Sequence, residues 1–163
     1  MDGPESKATE AEFRARREKI LLRQLVRLFR LMNDETVARM QARGFGGLQP
    51  SYPRLLGNLD TEGTRISGLA RRMGITRQAV AQLVKEIEAA GFVERRADPE
   101  DGRGVIVAFT PQGRQGLATA VEVMAEIEAE YAGVVGQSGL DELKRHLKTI
   151  LDRFDRQGGF GMD

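Results

Sequence analysis

Residues 66–91, ISGLARRMGITRQAVAQLVKEIEAAG, read as two short helices joined by a tight turn, and the rest of the chain must accommodate that pair. In the first segment Ile66, Leu69, Ala70 and Met73 recur at helical spacing. Ser67 is the expected cap, and Gly74 stands where a left-handed residue would close the helix. The second segment starts at Thr76, whose hydroxyl can hold an orphan N–H, and runs to Gly91. At about 100° per residue, Val80, Leu83, Val84 and Ile87 share one side, and Gln78, Ala81, Gln82 and Lys85 the opposite one. The first side can pack, which leaves the second free to touch another molecule.

That free side offers two amides, a small residue and a cation, with Arg77 beside them in the first turn. These groups suit the major groove of DNA. Gln can bond N6 and N7 of adenine, Arg or Lys can bond guanine or a phosphate, and Ala leaves room for a thymine methyl. A helix N-terminus also favours phosphate. From 64 to 85 the cations are Arg65, Arg71, Arg72, Arg77 and Lys85 with no acid among them, although the whole chain carries only +1. Any amphipathic helix pair shows one apolar and one polar face, so on this pattern alone a merely solvated surface stays an alternative.

The following residues add a hairpin. FVERR (92–96) reads as a strand, 97–104 as a turn, and VIVAFT (105–110) as a returning strand. Arg103 stands between two glycines at the tip, and Asp101 two positions earlier can orient its guanidinium. An Arg on a projecting loop suits the narrow minor groove. An ordinary solvated turn pair is the other reading of Asp101 and Arg103.

LARRMGIT (69–76), AGFVERR (90–96), DPEDGR (98–103) and FTPQGR (109–114), in this order and spacing, resemble the MarR family of winged helix-turn-helix transcriptional regulators. By motif the resemblance covers about the middle third of the chain, and the helical flanks suit the family over nearly all of it. It implies that the helix from Thr76 enters the major groove and that the Asp-x-Arg pattern, Asp101 and Arg103, places its Arg in or near the minor groove. Many members carry two adjacent basic residues after that Asp, where this chain has Gly102 before Arg103, so a weaker phosphate grip is expected of the wing. The resemblance also implies regulation by a small aromatic or phenolic ligand between the dimer helices and the head. Phe29, Met32, Phe45 and Tyr52 are candidates for lining such a cleft, and equally for plain core.

The flanks read as helices. Thr9 and Glu12 have capping-box spacing, which predicts a helix from there to about Met32, apolar on more than one side. Asn33 or Asp34 is the expected cap of a second helix that stops at Gly44. Pro50 and Pro53 fit only the first turn of a short helix holding Tyr52, Leu55, Leu56 and Leu59. Residues 64–66 are expected to add a short strand against the hairpin. Thr110 and Pro111 should start a long helix with Leu117, Val121, Met124, Ile127 or Glu128, Tyr131 and Val135 at helical spacing up to Gly136. A last helix from about Ser138 carries Leu140, Leu143, Leu147, Ile150, Leu151 and Phe154.

The expected fold is mainly α with a small β-hairpin wing, a winged helix-turn-helix flanked by N- and C-terminal dimerisation helices. At 163 residues it forms one domain, with 9–46 and 111–157 as the dimerisation region, 47–110 as the head, and 1–8 and 158–163 as mobile ends. The polar, acidic start is not expected to act as a secretion signal, and no apolar run is long enough to span a bilayer, so no membrane partner and a cytoplasmic location are expected. Cysteine is absent and His146 is the only histidine, so this chain holds no disulfide, thiol switch or multi-imidazole zinc site. Within the family, that argues against the peroxide-sensing and zinc-sensing branches. Carboxylates are scattered along helices with no nucleophile and base beside them, so neither catalysis nor a cofactor is expected.

The reading is therefore a sequence-specific, double-stranded DNA-binding regulator, a repressor acting as a homodimer on a pseudo-palindromic operator. Arg77, Gln78, Ala79 and Gln82, with Thr76 capping, are its expected major-groove residues, Arg103 with Asp101 its wing contact, and Lys85 and Arg96 its phosphate contacts. A winged-helix module that binds a protein partner is the alternative, and it predicts weak DNA affinity indifferent to sequence.

Overall fold

The computed structural model describes residues 10–99 and 104–155. Among them the chain forms α1 (Glu10–Glu18), α2 (Leu21–Ala42), α3 (Pro53–Leu56), β1 (Thr64–Arg65), α4 (Ile66–Met73) and α5 (Arg77–Ala89). β2 (Val93–Ala97), β3 (Val105–Phe109), α6 (Pro111–Val135) and α7 (Gln137–Asp155) complete it. The strands make one antiparallel sheet in the order β1-β3-β2, with Thr64 opposite Val107 and Val93 opposite Phe109. The mainly helical winged architecture, including the short strand before α4, is the one the sequence predicts.

The helix-turn-helix forms as its spacing dictates. Leu69, Ala70 and Met73 of α4 and Val80, Val84 and Ile87 of α5 are buried together with Phe92, Val93, Val107 and Phe109 of the wing. Gly74 closes α4 at φ 65°, a left-handed conformation open to glycine without steric cost. Thr76 caps α5 by accepting the Ala79 N–H at 3.2 Å. Ser67 is not the cap: it lies inside α4, and Arg65 is the extended residue at the start of the helix, with no capping bond from its side chain.

The N-terminal flank departs from its expected boundaries. Asn33 and Asp34 lie inside α2, and the Asn33 amide donates to the Pro50 carbonyl at 3.1 Å, tying the helix to the loop before α3 instead of capping. The break falls at Lys19 and Ile20, whose N–H groups turn back to carbonyls three residues earlier. Neither glycine nor proline marks that break in the sequence. Thr9 of the expected capping box lies outside the described residues. Helix α3 is a single turn with Tyr52 before it and Leu59 beyond it, although both side chains are buried as core.

Thr110 and Pro111 start α6 as expected. The threonine hydroxyl accepts from Gly113 N at 2.9 Å and donates to the Gly91 carbonyl at 2.6 Å. Only part of the expected stripe faces the core. Ile127 is buried and Tyr131 packs against the core, joined by Gly113, Gly116 and Val123, while Leu117, Val121, Met124 and Val135 are exposed. The cause is backbone proximity: a Cβ on Gly113 would lie 1.9 Å from the Phe92 carbonyl oxygen, so only glycine lets α6 sit this close to the wing. Apolar spacing finds large side chains and overlooks a face built on glycines.

Arg39 of α2 and Arg43, just past its end, hold α6 across the bundle. Arg39 bonds both carboxylate oxygens of Glu130, at 2.9 and 2.8 Å, and Arg43 grips Glu126 with Nη2 at 2.6 Å from Oε2. Large apolar side chains of the flanks nevertheless stay uncovered. Leu22, Phe29, Leu151 and Phe154 are each more than half exposed, and among the described residues of α7 only Leu140 is buried. His146 is exposed on α7, as expected.

Candidate nucleic-acid interface

Helix α5 presents its polar side outward because the apolar side is consumed by the core. Val80, Val84 and Ile87 are fully buried, whereas Thr76, Arg77, Gln78, Ala79, Gln82 and Lys85 are exposed and Ala81 is half-buried. Five of the nine predicted site residues, Arg77 to Ala79 with Gln82 and Lys85, thus share one face of one helix, and Thr76 fixes its start. Among the described residues neither Arg77 nor Lys85 is engaged in an ion pair, so both cations remain available to a phosphate or a base edge. Gln82 is engaged: its amide nitrogen donates to Glu86 Oε1 at 2.9 Å.

The acid-free run of sequence is not acid-free in space. Arg72 Nη1 donates to Asp60 Oδ1 and to the Asn58 carbonyl, each at 2.9 Å. Hydrogen bonds from Arg72 first, and then from the Thr64 hydroxyl, hold the Asp60 carboxyl below the usual carboxylate range. Arg65 Nε donates to Asp98, whose side chain is only 1% exposed. Two of the five cations therefore brace the head from within, and the surface field is narrower than the sequence suggests.

The wing is anchored at its base. The Asp98 N–H donates to the Gly104 carbonyl at 3.1 Å, closing the hairpin below its tip. Asp101 and Arg103 lie outside the described residues. Arg96 is exposed on β2 with its Nε 2.8 Å from Glu94 Oε1, so a phosphate would have to compete with that carboxylate. Next to it, Arg95 bonds back to Glu88 of α5. Sequence reasoning missed Asp98, Asp60 and Glu86. Asp98 reads as a turn residue, and nothing in the chain links it to an arginine 33 positions earlier.

Between α2, α3, β3 and α6 lies a cavity of about 180 Å³ lined by Met40, Leu56, Phe92, Phe109 and Met124 among others, with Thr36 the only polar side chain on it among the described residues. Phe29, Met32, Phe45 and Tyr52 do not line it. Phe45 and Tyr52 are buried core and Phe29 points to the exterior.

The three-stranded wing, the capped helix pair and the outward polar face define a winged helix-turn-helix protein. Residues 46–104 match the model of the MarR family. The transcriptional regulator BldR from Sulfolobus solfataricus is similar in structure, with TM-score 0.61 and 31% identity over 82% of this chain and 93% of that one. So is the transcriptional repressor CouR bound to a 23-mer DNA duplex, with TM-score 0.63 and 27% identity over 82% and 93% of the two chains. An uncharacterised HTH-type transcriptional regulator of Bacillus subtilis (strain 168), YdgJ, is 33% identical over 72 residues, 39% of this chain and 44% of its own length. The chain spans about half the length of the first curated relatives it matches. It belongs to the MarR family, and its named relatives are transcriptional regulators.

Proposed function

We propose that this protein is a sequence-specific double-stranded DNA-binding transcriptional repressor that acts as a homodimer in the cytoplasm. The observation that carries the proposal is the exposed face of α5. Its long side chains are two amides, two cations and one acid, Glu86, held on a helix whose other side is locked into the core. Arg77, Gln78, Ala79 and Gln82 read base edges, Lys85 and Arg96 meet phosphates, and Arg103, oriented by Asp101, serves the wing. The relative CouR, similar over most of both chains, is bound to a DNA duplex in its own structure, which supports the same use of this face.

The exposed apolar residues of α1, α2, α6 and α7 supply the dimer surface, so residues 9–46 and 111–157 serve assembly and 47–110 serve reading. A two-fold axis then sets two α5 helices in successive major grooves about one helical turn apart. The apolar cavity under the head is the place for a small effector. With Thr36 as its one polar side chain it suits an uncharged aromatic molecule, with one hydroxyl for a phenol to meet. A ligand there need only favour one spacing of the heads to release DNA.

The test is selection of bound duplexes from a random pool with the purified protein at moderate salt. Enrichment of a palindrome with half-site centres about 10 base pairs apart is expected. Binding that selects no sequence and vanishes with modest salt would replace this reading by a protein-partner module.

A further inference from the structure

Glu86 stands exposed on the reading face of α5, one turn beyond Gln82, among the groups expected to meet DNA. Most phosphate-facing surfaces exclude carboxylates, because a negative charge beside a polyanion weakens binding to every sequence. Its neighbour gives this one a task. Gln82 Nε2 donates to Glu86 Oε1 at 2.9 Å, with both side chains exposed. A carboxylate only accepts, so the contact also decides which end of the Gln82 amide is nitrogen.

We propose that Glu86 is a positioning residue that makes Gln82 select adenine over guanine, an inference that rests on α5 entering the major groove. With one amide hydrogen held by Glu86, Gln82 has one donor and one acceptor left to present. The major-groove edge of adenine offers N7 as acceptor and N6 as donor, and meets both. Guanine offers N7 and O6, two acceptors, and one of them would face the Gln82 carbonyl oxygen. A freely turning amide could offer both of its hydrogens to guanine. The held one cannot.

The full-length protein tests this with four variants, Gln82→Ala, Glu86→Ala, Glu86→Gln and the double Gln82→Ala/Glu86→Ala, each checked by thermal melting for an intact fold. Selection from a random duplex pool with the wild type first supplies the site, and Gln82→Ala identifies the base pair whose preference depends on Gln82. That base is expected to be adenine. Its replacement by guanine should weaken the wild type by about tenfold or more. In Glu86→Ala, and in Glu86→Gln, whose amide lets Gln82 turn either way, the ratio should fall to about threefold, while Glu86→Ala binds all duplexes as tightly or more tightly. In the Gln82→Ala background, removing Glu86 should leave the ratio unchanged.

The proposal is overturned if the Gln82-dependent base is guanine. It is also overturned if Glu86→Ala keeps the wild-type ratio, or if it shifts the ratio equally without Gln82. Failure of the wild type to enrich any sequence would be a different result, removing the DNA-reading function and this inference with it.

Discussion

Glu88 of α5 holds Arg95 of β2 by backbone and side chain at once. Its Oε1 accepts the Arg95 N–H at 3.2 Å, and its Oε2 accepts the Arg95 Nε–H at 2.9 Å. The pair fixes the angle between the reading helix and the wing, because it spans the turn between them. The guanidinium bond holds the Glu88 carboxyl below the usual carboxylate range, with the backbone bond adding to it.

A depressed carboxylate stabilises the fold above its unfolded pKa, roughly 4.3, and that contribution disappears as pH falls through the lower folded value. Arg95 is 47% exposed, so solvent screening limits the gain to about 0.5 kcal/mol. Urea unfolding of Glu88→Gln should therefore show a small deficit against the wild type at pH 7 that closes below about pH 4. A deficit that persisted undiminished at pH 3 would mean that the carboxylate charge is not what holds the wing.

Asp98 is the stronger anchor. Its buried carboxylate takes Arg65, and so joins the root of the wing to the start of α4. Asp98→Asn keeps the shape and removes the charge, and should cost about 2 kcal/mol in urea unfolding. DNA affinity should drop further than stability alone explains, since the wing loses its tie to the helix pair. An unchanged unfolding midpoint would show that the Arg65 contact contributes nothing net.

Two glycines of α6 separate close backbone approach from mere fit. A Cβ at Gly113 would meet the Phe92 carbonyl at 1.9 Å, whereas one at Gly116 would meet the Phe45 ring edge at 3.3 Å. Backbone cannot yield as a ring can, so Gly113→Ala should cost about 3 kcal/mol or more and Gly116→Ala under about 1 kcal/mol. Comparing their unfolding midpoints checks the order, and equal costs would contradict the close seating of α6 on the wing.

Most of this head was legible because its signals are local. Thr76, Gly74, Thr110 and Pro111 state their own roles through dihedral preference and capping, and Val80, Val84 and Ile87 declare a buried side by spacing alone. The illegible parts are those fixed by contacts across the fold. Asn33 looks like a helix cap until Pro50 takes its amide, and Arg65 and Arg72 look like surface charge until Asp98 and Asp60 are brought to them. The α6 face was read only in part, at Ile127 and Tyr131, since the glycines that complete it carry no hydrophobic signal. Asp101 and Arg103 remain expectations from sequence.

Lys85 and Arg96 should differ in what their loss does to DNA binding. Lys85 is free of ion pairs among the described residues, while Arg96 must leave Glu94 to reach a phosphate. Lys85→Ala should thus lower the slope of log affinity against log salt by about 0.9, and Arg96→Ala by less, with both weakening every sequence. Titration of one selected duplex at several salt concentrations gives both slopes. A larger loss at Arg96 would place the phosphate track along the wing instead of the helix.

The exposed apolar residues decide whether reading can be bivalent. Leu22 is 68% exposed, Phe29 64% and Phe154 61%, values ill suited to a surface facing water. They lie on α2 and α7, remote in sequence from the head, so covering them need not disturb α5. Burying each such side chain contributes about 2 kcal/mol, and a charge placed among them in an interface would remove more than one contact. Leu22→Glu/Phe29→Glu should therefore sediment as a monomer at concentrations where the wild type is a dimer, with the helical signal of the head retained. Its affinity for a full palindrome should fall to that for a half-site, because the second head is no longer tethered. A wild type that stays monomeric at tens of micromolar would mean that something other than a second copy covers this face.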